Sequence, residues 1–274
     1  MLNLSYQRYF ILGLLLFISS IQAEERLTFG IYAADKPTSV VKKIRPVLNK
    51  IQASLREKLG REIKIRMQIA PDYAKGLDEI VTGRLDFARL GPASYVEAKA
   101  RQPKIRILAL ESHHGGKRFN GVIVVRRDSS IKSIAELKGK RFAFGNRRST
   151  IGRYLAQRFL LQAGIRNDDL AGYDYLGRHD KVGSAVALGA FDAGALKEGT
   201  YKKLLAAGLP LKILASFPNV TKPWVVRADM DEASFQSLRA SLLALGTEYF
   251  LPGEDSDFDP IRRAMDESVL FFRD

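Results

Sequence analysis

Ile63, Ile65, Met67 and Ile69 alternate with polar residues, a period of two that turns one face of an extended strand toward a core. Upstream the period changes: Val40, Val41, Ile44, Val47, Leu48, Ile51, Leu55 and Leu59 recur at helical spacing until Gly60, which predicts a helix over 40–59. Pro46 is discordant within it and implies a kink or a later helix start. The short apolar run 27–31 predicts a strand before that helix. Beyond 69 the alternation continues with helix 77–81, strand 85–88, helix 92–100 and strand 105–110. Strands separated by helices in this order predict a parallel sheet covered on both faces.

Residues 111–120, with His113, His114, Gly115 and Gly116 at their centre, are polar and glycine-bearing and read as a hinge. A second α/β set follows: strand 122–125, a capping-box helix from Ser133 to Glu136, strand 142–144, helix 149–163 stopped by Gly164, strand 173–176 and helix 179–188. Strand 191–194, helix 200–207 and the apolar run 211–215 complete it. Pro218 and Pro223 mark a return crossing, and strand 224–226 precedes two tail helices, 231–245 and 260–271. Should the tail pack back on the first half, the chain forms two lobes, 24–114 with 217–274 and 115–216, joined by two crossings. The expected fold is α/β, each lobe a mostly parallel sheet flanked by helices, an arrangement suited to closing on a ligand about a hinge. Two independent consecutive domains are the alternative.

The N-terminus bears on location. Arg8, the apolar run 10–18, Ser19, Ser20 and the sequence Ile21-Gln22-Ala23 precede the charged Glu24-Glu25-Arg26. That is the layout of a secretory signal peptide over 1–23, cut after Ala23. The apolar run is about half the roughly 20 residues a spanning helix needs, and an uncleaved anchor is the alternative. The expectation is an exported, periplasmic protein.

Composition narrows the chemistry. With 274 residues, 46% hydrophobic and 27% charged, the chain has the make-up of a globular protein. The absence of cysteine excludes disulfides, thiolate metal sites and a cysteine nucleophile. Three histidines, two of them adjacent, do not suggest a metal centre, and no cofactor is expected. A net charge of +14 favours an anionic partner. Lysines and arginines are nevertheless spread along the chain without a basic block or an aromatic-basic signature, so nucleic acid is not the expected partner. No Gly-x-Ser-x-Gly elbow occurs, and an enzyme is not expected.

The most informative segment runs Phe142-Ala143-Phe144-Gly145-Asn146-Arg147-Arg148-Ser149-Thr150-Ile151-Gly152. A strand passes through a glycine turn into a helix whose first residues carry two hydroxyls. Backbone N–H groups and the positive helix end converge there, and an oxyanion is the complementary guest. A serine in this position is also an ordinary N-cap.

This segment, together with Pro71-Asp72-Tyr73-Ala74, Leu85-Asp86-Phe87-Ala88-Arg89-Leu90-Gly91-Pro92-Ala93-Ser94-Tyr95, and Arg178-His179-Asp180 followed by Ala185-Val186-Ala187-Leu188-Gly189-Ala190-Phe191-Asp192-Ala193-Gly194, resembles the PhnD-like phosphonate, phosphite and phosphate binding proteins of ABC importers. The resemblance spans residues 27–227 and implies a type II periplasmic binding protein. It implies that Ser149 and Thr150 hold a phosphorus oxyanion, helped by Tyr73, Tyr95 and His179. Each has a plainer reading: a core aromatic with a wet tip, or a helix cap. Where the family has a third hydroxyl this chain has Ile151, which keeps only its backbone N–H. Arg147 stands in place of an Asp-Pro pair, making the approach more cationic. The resemblance implies that members binding aminoalkyl phosphonates meet the amine with acidic groups, and the corresponding positions here are Lys222 and the vicinity of Gly199, with Glu198 adjacent. A lysine facing the ligand would repel an ammonium and favour a purely anionic or doubly anionic ligand; a lysine pointing to solvent would do neither. The implied partners are a small anion and an ABC permease, with the protein acting as a monomer. A membrane histidine kinase reading the bound ligand is the alternative partner.

Overall fold

The computed structural model describes residues 24–32 and 37–272, so the expected signal peptide lies outside the described residues. The chain runs β1 (Glu25–Tyr32), α1 (Pro37–Leu59), β2 (Ile63–Ala70), α2 (Tyr73–Val81), β3 (Phe87–Arg89), α3 (Pro92–Arg101) and β4 (Arg106–Glu111). Next come β5 (Arg118–Arg126), β6 (Arg141–Phe144), a π-helical turn (Thr150–Leu155) running into α4 (Ala156–Gln162), β7 (Gly172–Tyr175), α5 (His179–Ala187), β8 (Ala193–Lys197), α6 (Glu198–Ala206) and β9 (Leu211–Val220). It ends with β10 (Pro223–Val226), α7 (Glu232–Leu243), β11 (Phe250–Leu251), a 3-10 turn (Asp255–Phe258), α8 (Asp259–Glu267) and a second 3-10 turn (Ser268–Phe272). Among the described residues no helix is long and apolar enough to cross a membrane.

Two sheets with flanking helices result. A six-stranded sheet has the order β11-β4-β10-β3-β1-β2, and a five-stranded sheet the order β7-β6-β8-β5-β9. β1 pairs parallel with β2 and β3, and β6 pairs parallel with β7 and β8, as βαβ units require. The returning strands add antiparallel pairs: β10 inserts between β3 and β4, and β5 pairs with β8 and β9, so both sheets are mixed. A strand that arrives from the other lobe has no crossover helix to fix its direction, which the helix-and-strand order alone does not show.

Helix α1 buries Ile44, Leu48, Ile51 and Leu55, one face at helical spacing. It begins at Pro37 and continues through Pro46, whose exposed position puts the lost backbone hydrogen bond on the watery side. Trp224 in β10 is fully buried, stacked on Phe29 at 4.6 Å and edge-on to Phe250 at 5.1 Å. This aromatic block pins β10, and with it the preceding Lys222: the amide of Glu111 donates to the Lys222 carbonyl (2.9 Å) and that of Leu90 to the Pro223 carbonyl (3.0 Å).

The sheets are joined at 112–117 and at Thr221–Lys222, and the two connections are tied by Thr221 N donating to Lys117 O (2.8 Å). The first contains a tight turn in which His113 and Gly116 exchange backbone hydrogen bonds, with positive φ at His114 (53°) and Gly115 (79°). β9 extends through Pro218 to Val220, so the return falls later than residue 217. The tail also departs from the expected assignment to the first lobe. Phe271 is fully buried against Phe144 (5.7 Å) and Tyr173 (6.2 Å), and Asn167 N donates to its carbonyl (3.1 Å). Residues 268–272 therefore belong with the second sheet, because their aromatic side chains find an apolar surface there.

Candidate functional site

Two helix starts meet between the sheets. On the second lobe, β6 ends at Phe144 and the chain doubles back: Gly145 N donates to Gly152 O (2.7 Å). A Cβ on Gly152 would lie 2.8 Å from the Gly145 Cα, so only glycine permits this approach. Ser149 caps the following turn, its Oγ accepting from Gly152 N (3.0 Å), while Thr150 and Ile151 stand in the first turn, whose amides lack intrahelical acceptors. Ser149 is therefore an N-cap that also lines the recess described below. A hydroxyl that accepts a backbone N–H still has its own proton to donate.

On the first lobe, Gly91-Pro92 opens α3. Tyr32, the last residue of β1, accepts from Gly91 N (2.5 Å) and donates to Ser94 Oγ (2.7 Å). Burial pushes the Tyr32 phenol above its ordinary range, so it stays protonated at neutral pH. Its ring lies 4.1 Å from that of Tyr73, the first residue of α2, whose start is fixed by Asp72 accepting from Lys75 N (2.8 Å).

Between these starts lies a recess of about 20 Å³. Six of the seven residues expected from sequence line it: Tyr73, Ser149, Thr150, Ile151, His179 and Lys222. His179 is the first residue of α5 and is 4% exposed. Ile151 contributes an apolar wall where a hydroxyl was absent. Tyr95 is the exception: its hydroxyl donates to Asp255 Oδ1 (2.5 Å), its ring packs at 4.4 Å on Phe258, and it lines neither space described here. Along α3 the Ser94 side chain faces Tyr32, and a step of about 100° to the next residue turns Tyr95 toward the tail. The tyrosine that organises the α3 start is Tyr32, which the sequence reading left just beyond its first strand and gave no role.

The arginines before Ser149 also turn away. Arg147 lies over the Tyr175 ring (4.3 Å) and Arg148 pairs with Glu97, so neither lines the recess. Positive charge comes instead from Lys197, at the end of β8, and Lys222; the neutral Asn219 beside them is 2% exposed, with Oδ1 lacking a hydrogen-bond partner. Lys197 is distant in sequence from Asn219 and Lys222, which flank the second crossing, and only Lys222 was flagged by sequence.

Beside the recess is a larger chamber of about 270 Å³, and Tyr32, Phe119, Lys197 and Lys222 line both. Among the described residues that line it, the carboxylate Glu111 is gripped by Arg89, with Nη2 to Oε2 at 2.8 Å, and accepts from Trp224 Nε1 (3.3 Å). Burial alone would raise the Glu111 carboxyl; the Arg89 charge and hydrogen bonds, with Lys43 and Lys222, overcome it and hold the group at about 2.

Comparison with known proteins bears on the family and the fold. Residues 29–264 match the family described as ABC transporter, phosphonate, periplasmic substrate-binding protein. The chain is 31% identical over 169 residues to the probable ABC transporter phosphite binding protein PhnD1 of Prochlorococcus marinus, covering 58% of this chain and 56% of that protein. It is 27% identical over 147 residues to the phosphonates-binding periplasmic protein of Escherichia coli, covering 53% and 42% respectively. The chain thus spans about half the length of these curated relatives. In fold it resembles the structure of PhnD1 from Prochlorococcus marinus in complex with methylphosphonate, with a TM-score of 0.75, 23% identity, and coverage of 89% of this chain and 98% of that one. The match over most of its length places this chain in the family of periplasmic phosphonate-binding proteins of ABC transporters.

Proposed function

We propose that the protein is an exported, periplasmic substrate-binding protein that holds a small phosphorus oxyanion between its lobes and presents it to an ABC permease, without chemical conversion of the ligand. The observation that carries this reading is the convergence of Ser149, Thr150, Tyr73, His179, Lys197 and Lys222 on one recess between two helix starts. Hydroxyl, phenol and backbone donors supply directed hydrogen bonds to tetrahedral oxygens, and the lysines supply charge. Lobes that part about 112–117 and 221–222 would admit the ligand, and closure would bring donors from both sheets onto it. The names of the family relatives, a phosphite and a phosphonate binder, support the same class of anion.

The test is a thermal-shift panel on the purified protein with phosphate, phosphite, methylphosphonate, 2-aminoethylphosphonate and sulfate. A ligand at 100 times its Kd adds about 2.7 kcal/mol of stability, a readily measured shift. The expected result is a shift with at least one phosphorus oxyanion that disappears in the Ser149→Ala, Thr150→Ala double variant. A shift that persists in that variant places the anion elsewhere.

A further inference from the structure

Asn219 stands near the end of β9, just before the second crossing, and lines the recess together with Ser149 and Thr150. The chain is held firmly here: residue 219 pairs with Phe119 in the β5–β9 ladder, and Thr221 N is tied to Lys117 O (2.8 Å). Residues two apart in a strand share a face, and Phe217, on the Asn219 face, belongs to the same apolar cluster as Ile151. That face is therefore turned toward the π-helical turn, and a buried position of this kind ordinarily holds an apolar residue.

The chain places a carboxamide there instead. Asn219 is 2% exposed, and its Oδ1 accepts no hydrogen bond from any described residue. Buried polar oxygens are ordinarily satisfied, and one left over at a binding recess marks a place where the donor arrives with the guest. A carboxamide oxygen can only accept. The two hydroxyls that share the recess have the complementary capacity. Ser149 Oγ already accepts from Gly152 N (3.0 Å) and Thr150 Oγ1 from Ala93 N (2.9 Å), so the proton of each remains to be donated.

A tetrahedral guest that matches both kinds of group carries bare oxygens for the hydroxyls and one protonated oxygen for Asn219. Phosphonate, phosphite and phosphate have that pattern in their singly protonated forms. Sulfate at neutral pH has no such proton and would set lone pair against lone pair at Oδ1.

We propose that Asn219 contacts the ligand, its Oδ1 accepting a hydrogen bond from a P–OH group, so that the site takes the protonated form of a phosphorus oxyanion and rejects an anion with no proton to give. This rests on the oxyanion reading of the recess and adds to it the protonation state of the ligand.

Calorimetric titration with methylphosphonate in two buffers of different ionisation enthalpy counts the protons taken up on binding. At a pH one to two units above the second ionisation of methylphosphonate the free ligand is a dianion, and the wild-type protein is expected to take up about one proton per ligand bound. Sulfate is expected to bind about tenfold or more weakly than methylphosphonate. Asn219→Ala strands no donor at Oδ1, so it is expected to keep the wild-type denaturation midpoint while losing about tenfold or more in methylphosphonate affinity, most of the proton uptake and most of the preference over sulfate. Among the described residues the other titratable groups lining the recess are Tyr32, Tyr73, His179, Lys197 and Lys222. A separate cavity also reaches Asn219; of its charged groups, Arg118 and Arg158 stay protonated throughout and Asp257 is paired with Lys117. Uptake that persists in Asn219→Ala belongs to one of these groups and overturns the Asn219 assignment alone. Wild-type binding without uptake, or with equal affinity for sulfate, overturns it too, whether or not the variant folds. Failure of methylphosphonate, phosphite and phosphate all to bind overturns it together with the oxyanion reading.

Discussion

Thr150 Oγ1 accepts a 2.9 Å hydrogen bond from the backbone amide of Ala93, joining the first turn of the second-lobe helix to the first turn of α3 across the cleft. One side chain thereby faces the proposed ligand with its proton and the opposite lobe with its lone pair. Arg148 on Glu97 adds a second bridge between the same elements.

Thr150→Val removes both functions. It leaves the buried Ala93 amide unpartnered, which costs about 1–3 kcal/mol, and deletes an oxyanion donor. Denaturant unfolding should show that loss without ligand, and the thermal shift with methylphosphonate should vanish. Thr150→Ser should restore both.

Tyr95 gives the opposite expectation. Burial, with the Asp255 carboxylate accepting its hydrogen bond, pushes its phenol far up, and the hydroxyl serves the tail rather than the recess. Tyr95→Phe should destabilise the protein by about 1 kcal/mol while leaving the Kd for methylphosphonate unchanged, whereas Tyr73→Phe should weaken binding. Titration of both variants separates the two tyrosines.

Gly152→Ala forces a Cβ to 2.8 Å from a backbone atom of Gly145, where no flexible side chain can yield. The turn must open, at about 1–3 kcal/mol, and the Ser149 hydroxyl must move with it. Lower denaturation midpoint and loss of anion binding should appear together. A variant of unchanged stability and affinity would show that the turn tolerates the shift.

The Glu111 carboxyl sits at about 2 in the folded protein, against roughly 4.3 in an unfolded chain. Since the folded value is depressed, its contribution is complete above the unfolded value and fades as pH falls through about 4 toward 2. Thermal unfolding from pH 6 to pH 2 should show that slope, reduced in Glu111→Gln. Arg89→Met leaves a buried carboxylate without its partner and should lower stability most at neutral pH.

Lys222→Asp reverses the charge at a position that lines both spaces. Binding of methylphosphonate should weaken by about tenfold or more, while 2-aminoethylphosphonate gains relative to it. Tighter methylphosphonate binding in that variant would mean that Lys222 opposes the anion.

Much of this protein is written in short-range order. The alternation at 63–69, the helical period of α1 and the Ser149-Thr150 turn each depend on neighbours two to four residues away, and the structure contains all three elements. His179 could be placed at a helix start for the same reason, whereas α2 begins at Tyr73, four residues before the apolar pattern suggested. What tertiary structure decided is pairing and direction. β10 joins the first sheet antiparallel because Trp224 finds Phe29 there, Phe271 settles against Phe144, and Tyr95 turns to Asp255 while Tyr32 takes the place beside Gly91. Those outcomes depend on contacts between residues tens to hundreds of positions apart. A local period encodes which face of an element is apolar, but it carries no information about which distant surface that face will meet.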